Sequence, residues 1–176
     1  MKFVIPEVVT SQFHLREGDK VADFGTGRGF FLRPLAEAVT PEGEVYFCEI
    51  QKELVEFVGE QVRLAGYGHA KTMWCDLEEP NGIDIPDSTL DAGILVNTLF
   101  QLEDRETAIK EMLRTIRSGG KFLVIDWSDS VAGMGPSPDK LISVADCTNL
   151  LESNGCILDR EFPAGGHHYG LAFRKV

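Results

Sequence analysis

The sequence predicts one α/β domain with a mostly parallel, seven-stranded sheet that ends in an antiparallel hairpin. Short apolar runs alternate with longer stretches of helical period, which is typical of strand–helix units around a parallel sheet. The last two runs, 157–162 and 168–174, are joined by only five residues. A parallel crossover needs about a dozen residues, so these two strands are predicted to be antiparallel. A chain of this length suits a single domain over residues 1–176.

The first half of the chain alternates three strands with two helices. The predicted order is strand 20–24, helix 29–40, strand 44–49, helix 51–65 and strand 70–75. Pro34 fits the first helix because it falls near the first turn, where a missing N–H breaks no hydrogen bond. Gly66 follows the second helix as a C-cap, since glycine readily adopts the left-handed backbone that ends a helix.

The second half continues this alternation as far as the hairpin. The predicted order is strand 90–96, a helix over 108–116, strand 121–126, a helix over 139–153 and the two hairpin strands. Residues 121–126 (KFLVID) are mostly apolar without alternation, as expected for a strand covered on both faces. Ser118, Gly119 and Gly120 end the helix that precedes them.

Composition bounds the class of protein and its partners. Apolar residues make up 43% of the chain and charged residues 26%, as in ordinary globular domains. No apolar run reaches about eighteen residues and the N-terminus does not resemble a signal peptide, so we expect no membrane span. The net charge of −11 disfavours nucleic acid as a partner. Four scattered cysteines without a CxxC pair predict free thiols and a cytoplasmic location.

A glycine-rich turn follows the first strand, where residues 23–29 read DFGTGRG. Glycines allow a tight turn and let a ligand lie against bare main chain. The helix N-terminus that follows favours an anionic group. Phe30 stands where a GxGxxG dinucleotide motif has its third glycine, which argues against a nicotinamide oxidoreductase. Taken alone, the turn could also be purely structural.

Two acids end the next two strands. Glu49 follows Gly29 by twenty residues, where a carboxylate can bind both hydroxyls of a ribose. Asp76 ends the third strand, where it can accept a hydrogen bond from an adenine amino group. Ligands bind at the carboxyl edge of open α/β sheets. The turn and the two acids together therefore predict an adenosine-containing ligand.

Six motifs occur in order along the chain: VADFGTGRGFF, VYFCEIQ, WCDL, LDAGILVNTLFQLED, RSGGKFLVIDW and HYGLAF. Together they resemble the motifs of class I S-adenosylmethionine-dependent methyltransferases, most closely the branch of the ubiquinone/menaquinone-biosynthesis C-methyltransferases, over about 18–174. The resemblance implies a Rossmann-like three-layer sandwich with strand order 3-2-1-4-5-7-6 and an antiparallel last strand. It also implies a transferase that moves a methyl group from S-adenosyl-L-methionine to a small-molecule or lipid-like acceptor.

The resemblance further implies which residues bind the cofactor. The glycine turn would surround the methionine moiety, Glu49 would bind the ribose and Asp76 the adenine edge. Ile50 would pack on the adenine, and Asn97 would lie near the transferable methyl. The implied cofactor-binding residues are Asp23, Gly25, Thr26, Gly27, Gly29, Glu49, Ile50, Asp76, Leu77 and Asn97.

The acceptor side departs from the related enzymes. They often carry histidines after the fourth strand, whereas this chain reads NTLFQ over 97–101, so no general base is assigned. The hairpin turn would lie at the cofactor edge and could supply acceptor contacts instead. The predicted substrate-facing residues are Asp126, Trp127, His167, His168 and Tyr169. Packing of the sheet edge is the alternative role for His168 and Tyr169.

The cofactor edge is expected to be open, because only about twenty residues precede the first strand and no large insertion covers the edge. An open edge favours a bulky acceptor, a lipid, or a protein partner or second copy that completes the pocket. Residues 128–138, with Gly133, Gly135 and two prolines, are either a partial lid or a flexible connection. The alternative function is a methyltransferase-like protein that binds the cofactor without catalysis, as a sensor or partner subunit.

Cys48 and Cys75 immediately precede the two acids. In the implied strand order their thiols would be neighbours, so binding of a metal or an arsenical is one interpretation. Packing as small core side chains is favoured, because free cysteine is commonly buried. No histidine or third cysteine has metal-ligand spacing, so we predict no metal site.

Overall fold

Strands and helices alternate along the chain in the computed structural model, which describes residues 4–131 and 134–176. The strands of the described residues are β1 (Lys20–Phe24), β2 (Glu44–Glu49), β3 (Ala70–Trp74), β4 (Leu90–Val96), β5 (Ile116–Trp127), β6 (Cys156–Pro163) and β7 (His168–Lys175). Their α-helices are α1 (Pro6–Ser11), α2 (Leu32–Val39), α3 (Lys52–Ala65), α4 (Arg105–Thr115) and α5 (Val144–Ser153).

The seven strands form one sheet in the order β3-β2-β1-β4-β5-β7-β6. The neighbouring pairs from β3 to β5 are parallel, whereas β7 is antiparallel to both β5 and β6. The predicted fold class and strand order are therefore confirmed. Because β6 has the same direction as β5, the hairpin turn lies at the same sheet edge as the carboxyl ends of β1 to β5.

Helices cover both faces of the sheet and enclose two apolar cores. On one face α1, α2 and α3 pack on side chains such as Val21 and Phe47. On the other face α4 and α5 pack on Phe24 and Phe122, whose rings meet edge to face with centroids 6.2 Å apart. Burial on both faces explains why the central strands read as unbroken apolar runs.

Three helix starts differ from the prediction. Helix α4 begins at Arg105 instead of 108 and ends at Thr115, so residues 118–120 lie in β5 and do not end the helix. Residues 28–31 form turns and α2 begins at Leu32, so Pro34 is its third residue and breaks no helical hydrogen bond. The last helix was predicted from 139, but α5 begins at Val144. Ser143 caps it by accepting a hydrogen bond from the Asp146 amide over 3.0 Å. An N-cap serine marks a helix start, but the prediction used only the spacing of apolar residues.

Helix α1 was not predicted, because six residues carry too little periodicity. Val9 and Phe13 are fully buried against the α2 side of the sheet. The Lys121 ammonium donates to the backbone oxygens of Phe13 and His14, at 2.6 and 3.1 Å, which ties this segment to β5. None of the helices in the described residues combines the length and hydropathy that a membrane span requires.

Candidate functional site

A cleft of about 490 Å³ opens at the carboxyl edge of β1, β2, β3 and β4. The structure brings together nearly all of the predicted cofactor-binding residues in its lining: Asp23, Gly25, Thr26, Gly27, Glu49, Ile50, Asp76, Leu77 and Asn97. Gly29 is the exception. Other lining residues that sequence reasoning did not assign include Arg28, Gln51, Leu54, Glu78, Thr98 and Gln101.

Two positions of the glycine turn require glycine, each for a different structural reason. Gly25 has a φ of +71°, and a Cβ there would lie 2.7 Å from Oγ1 of Thr98, so the turn approaches the end of β4 too closely for a side chain. Gly29 has a φ of +74° and packs against Val58 of α3. The close packing contact is therefore made by Gly29, and Phe30, which is 74% exposed, is left at the rim of the cleft.

The Glu49 carboxylate joins the end of β2 to the glycine turn. Its Oε2 accepts a hydrogen bond from the Gly27 amide over 2.9 Å, and its Oε1 accepts from the amides of Ile50 and Gln51, both over 3.0 Å. A carboxylate has about four acceptor positions, so Glu49 retains capacity for a hydroxyl donor. The side chain is buried.

Asp23 places a buried carboxyl group at the floor of the cleft. Its Oδ2 accepts from the Thr26 hydroxyl over 2.7 Å. Burial raises the pKa of Asp23 to about 7, and the nearby negative charge of Glu49 adds to the effect. A cationic ligand in the cleft would favour the ionised form of Asp23.

Asp76 lies two residues beyond the end of β3, and its Oδ1 accepts from the Glu78 amide over 3.0 Å. Glu78 then fastens two walls of the cleft together. Its Oε1 accepts from the amides of Glu103 and Asp104, at 2.7 and 2.5 Å, at the start of α4. No local pattern marks Glu78, because its partners lie 25 and 26 residues away.

Asn97 has an unusual backbone and a buried polar atom. Its φ of +53° falls in the left-handed region, which asparagine tolerates better than most residues. Its backbone oxygen accepts from Nε2 of Gln101 over 2.6 Å. Its side-chain Oδ1 is buried and has no hydrogen-bond partner among the described residues, so it is an available acceptor at the cleft.

The predicted substrate-facing residues lie at the same sheet edge, on β5, β7 and their turns, but they do not line this cleft. The Trp127 and His168 rings are in contact, with centroids 4.3 Å apart and planes tilted by 41°, and burial lowers the pKa of His168. Nδ1 of His167 lies 2.7 Å from Oδ1 of Asp129. Tyr169 is buried, and burial raises its pKa well above the ordinary value.

Asp126 is only 1% exposed and its carboxylate is directed at main-chain amides. Oδ1 accepts from the amide of Trp127 over 2.8 Å, and Oδ2 accepts from the amide of Phe100 over 3.2 Å. Burial raises the pKa of Asp126 to about 6, although these hydrogen bonds lower it.

The described part of the segment 128–138 folds back on the end of β5. A Cβ at Gly135 would lie 2.8 Å from the Trp127 ring, and the Ser130 hydroxyl donates to the Pro136 oxygen over 2.8 Å. Gly133, which the sequence placed in a partial lid or a flexible connection, lies outside the described residues.

Cys48 and Cys75 are neighbours in the core beneath the cleft, as the implied strand order predicts. Both are buried and free, and the two thiols are close enough to interact. That contact and burial raise the pKa of Cys48 well above its ordinary value, so its thiol is protonated. The described residues contain no cluster of three or more histidine, cysteine or acidic side chains that could hold a metal ion.

Comparisons with known proteins agree with this architecture. Residues 22–124 match a family model described as a methyltransferase domain. Ubiquinone/menaquinone biosynthesis C-methyltransferases are similar in sequence: the protein from Pasteurella multocida is 29% identical over 66% of this chain and 43% of its own length. The protein from Neisseria meningitidis serogroup C is 30% identical over 65% of this chain and 45% of its own. The matched region thus spans less than half of these relatives.

A solved structure of a SAM-dependent methyltransferase from Aquifex aeolicus superposes with a TM-score of 0.89 at 28% identity, covering 99% of this chain and 91% of that one. The sheet order and the glycine turn define a class I, Rossmann-like methyltransferase whose cofactor is S-adenosyl-L-methionine. This chain belongs to the methyltransferase domain family. The predicted resemblance to the quinone-biosynthesis C-methyltransferase-like branch is confirmed.

Proposed function

We propose that residues 1–176 form one domain that transfers a methyl group from S-adenosyl-L-methionine to a ring carbon of a lipid-like, quinone-related acceptor. The assignment of the methyl donor is supported by the cleft built around the contact between Gly27 and Glu49. The acceptor half is supported by the names of the relatives, which are quinone-biosynthesis C-methyltransferases.

The residues of the cleft fit the cofactor in charge and shape. Asp23 and Glu49 supply negative charge for a cationic ligand, and Gly27, where nothing lies within 4 Å of a Cβ, leaves the main chain bare. Asn97 contributes a buried acceptor without a partner among the described residues, which suits an ammonium donor. The bound cofactor supplies an electrophilic methyl group on a positively charged sulfur.

Each end of the cleft would take a different part of this ligand. The remaining acceptor position of Glu49 would take a ribose hydroxyl, and Asp76 and Leu77 would border the adenine edge. Ile50, which is 51% exposed, would cover one face of the adenine ring with apolar surface. The glycine turn and Asn97 would hold the amino-acid tail and orient the methyl group toward the β4 side.

An apolar rim supports a lipid-like acceptor. Phe30 is exposed and Leu54 is half-buried, and both line the cleft mouth. Exposed apolar side chains next to a ligand cleft mark a surface that binds apolar groups. A polyprenyl-type tail would remove this surface from water while its ring reaches the methyl group.

The acceptor ring would lie toward β5 and β7, where the residues predicted to face it are found. Strands are about 4.8 Å apart, so β7 is about 10 Å from β4, roughly the reach of one aromatic ring system. Trp127, His167 and His168 would border the acceptor ring. Asp126 and Tyr169 are buried and would support these side chains without contacting the ring. The protein's work is to align the ring carbon with the methyl group and to exclude water.

The test uses cofactor with a labelled methyl group and a reduced 1,4-naphthoquinone that carries an alkyl tail and one free ring carbon. The matched control is the same compound with a methyl group already on that carbon. We expect label on the first compound only, and none with the Glu49→Ala variant. Cofactor binding without transfer to this quinol, or label on oxygen instead of carbon, would contradict the proposed function.

A further inference from the structure

The turn after β4 forms the wall of the cleft beside the sheet centre. Asn97, Thr98 and Gln101 line the cleft, while Leu99 between them is fully buried. The turn meets the glycine loop directly, since a Cβ at Gly25 would lie 2.7 Å from Oγ1 of Thr98. With so little space between them, a shift of the turn would move the glycine loop or open a gap beside it.

Two contacts attach this turn to the end of β5. The Asn97 amide donates to the Ile125 oxygen over 2.9 Å, which continues the strand ladder. One residue further along β5, Oδ2 of Asp126 accepts from the Phe100 amide over 3.2 Å, and its Oδ1 accepts from the amide of Trp127. A buried carboxylate is costly unless it is hydrogen-bonded, so this geometry has a specific reason to persist.

We propose that Asp126 is a positioning residue whose carboxylate holds the 97–101 turn in the shape that completes the cofactor cleft. It does not touch the cofactor itself, because it is buried outside the cleft lining. The inference rests on the cofactor site proposed above. It assigns to the end of β5 a role in donor binding, in addition to the acceptor-side role expected from the sequence.

The protonation state of the Asp126 carboxylate should therefore control the position of the 97–101 turn, which forms one wall of the cleft. The groups that face it from the packed elements are Arg105 of α4, Cys147 of α5 and Tyr169 of β7. Above pH 6 the carboxylate is ionised and both oxygens accept from amides. Below pH 6 one oxygen carries a proton and becomes a poor acceptor, so we expect one of the two amide contacts, and with it the hold on the turn, to weaken.

Folding stability is expected to depend on pH through Asp126 in the opposite direction to cofactor affinity. Burial raises the pKa of Asp126 from 3.8 to about 6, so the folded chain holds this proton more tightly than the unfolded chain. The contribution of Asp126 to stability is complete below about pH 4 and is lost as the pH rises through 6. A loss of cofactor affinity below pH 6 would therefore not reflect loss of folding stability through this group.

The experiment measures the affinity for S-adenosylhomocysteine by calorimetry from pH 5 to 8. It compares the wild type with Asp126→Asn and with Asp159→Asn, a matched control on exposed β6 whose carboxylate contacts Arg174. We expect Asp126→Asn to bind about tenfold more weakly at pH 7.5, the usual scale for one charge-assisted hydrogen bond. The ratio of the two dissociation constants should approach one near pH 5, and Asp159→Asn should match the wild type throughout.

Taking the ratio removes the contribution of Asp23, which titrates in both proteins. A ratio that stays constant with pH would reduce Asp126 to a general structural role, and a ratio of one at every pH would overturn the proposal. If Asp126→Asn does not fold, a pH titration of the wild type tests the proposal. The amide signal of Phe100 should shift in ¹H–¹⁵N spectra with a midpoint near pH 6, and the amide signal of Asn97 should shift with the same midpoint. Failure of the Asn97 amide to follow would also overturn it. A folded wild type that binds no S-adenosylhomocysteine would instead contradict the proposed function.

Discussion

The amide of Gly27 donates a hydrogen bond to Oε2 of Glu49 over 2.9 Å, so the turn after β1 and the end of β2 are held as one unit. The same carboxylate also accepts from the amides of Ile50 and Gln51 through its other oxygen. A single side chain thus organises the main chain on two sides of the cleft and keeps acceptor capacity for a ligand.

Replacing Glu49 with glutamine should therefore damage both the site and its ligand binding. The amide has one acceptor oxygen, and its NH₂ group would face a backbone N–H. We expect the affinity for S-adenosylhomocysteine to fall at least about tenfold, the scale of one lost charge-assisted hydrogen bond. Calorimetry measures this, with Glu56→Gln on the exposed face of α3 as the matched control. Equal affinities for the two variants would refute the assignment.

Replacing Gly25 with alanine should destabilise the fold. The new methyl group would meet Thr98 at 2.7 Å, and the backbone φ of +71° is unfavourable for alanine. We expect a loss of about 2 kcal/mol or more in the free energy of unfolding, measured by urea denaturation. Gly68→Ala is the control, because no atom lies within 4 Å of a Cβ at that position. A neutral Gly25→Ala variant would show that the turn and β4 are not in close contact.

Cofactor binding should depend on pH through Asp23, whose pKa burial raises from 3.8 to about 7. In the free protein, the contribution of Asp23 to the free energy of unfolding is complete below about pH 4 and is lost as the pH rises through 7. A bound cation favours the carboxylate, so binding below pH 7 must release a proton. We expect affinity for S-adenosyl-L-methionine to fall by up to about tenfold for each pH unit below 7.

Calorimetry in two buffers of different ionisation enthalpy measures that proton release directly. The Asp23→Asn variant should bind more weakly and release no proton near pH 7. Proton release that persists unchanged in Asp23→Asn would assign the pH dependence to another group.

Removing Glu78 should loosen the link between the turn after β3 and the start of α4. Glu78→Ala leaves the amides of Glu103 and Asp104 without their acceptor; both residues are exposed, so water can replace it and we expect a cost of about 1 kcal/mol or less. The neighbouring Glu79→Ala is the matched control, since the contacts of Glu79 in the described residues are made by its backbone. Urea denaturation of both variants gives the comparison, and similar stabilities would mean that the link does not hold the walls together.

Much of the cleft lining could be read from the sequence because its residues lie at the ends of strands or just beyond them. Asp23, Glu49 and Asp76 are found near strand ends, and parallel strands bring those ends to one edge. Gly29 and Asp126 show the limit of this reasoning. Gly29 packs on Val58 instead of lining the cleft, and Asp126 binds main-chain amides, and neither partner is marked by any local pattern.

The sequence by itself determined the order of the strands and of four of the five helices in the described residues, the antiparallel ending and most of the residues that meet at the cleft. These features depend on periodicity, on turn glycines and on motifs, all of which act over short stretches of chain. The tertiary structure alone decided which side chains fasten the walls, because the partners of Glu78 and Asp126 are distant in sequence and meet only when the sheet is packed. A hydrogen bond between distant residues depends on where the whole fold places its donor and acceptor, and local patterns do not encode that position.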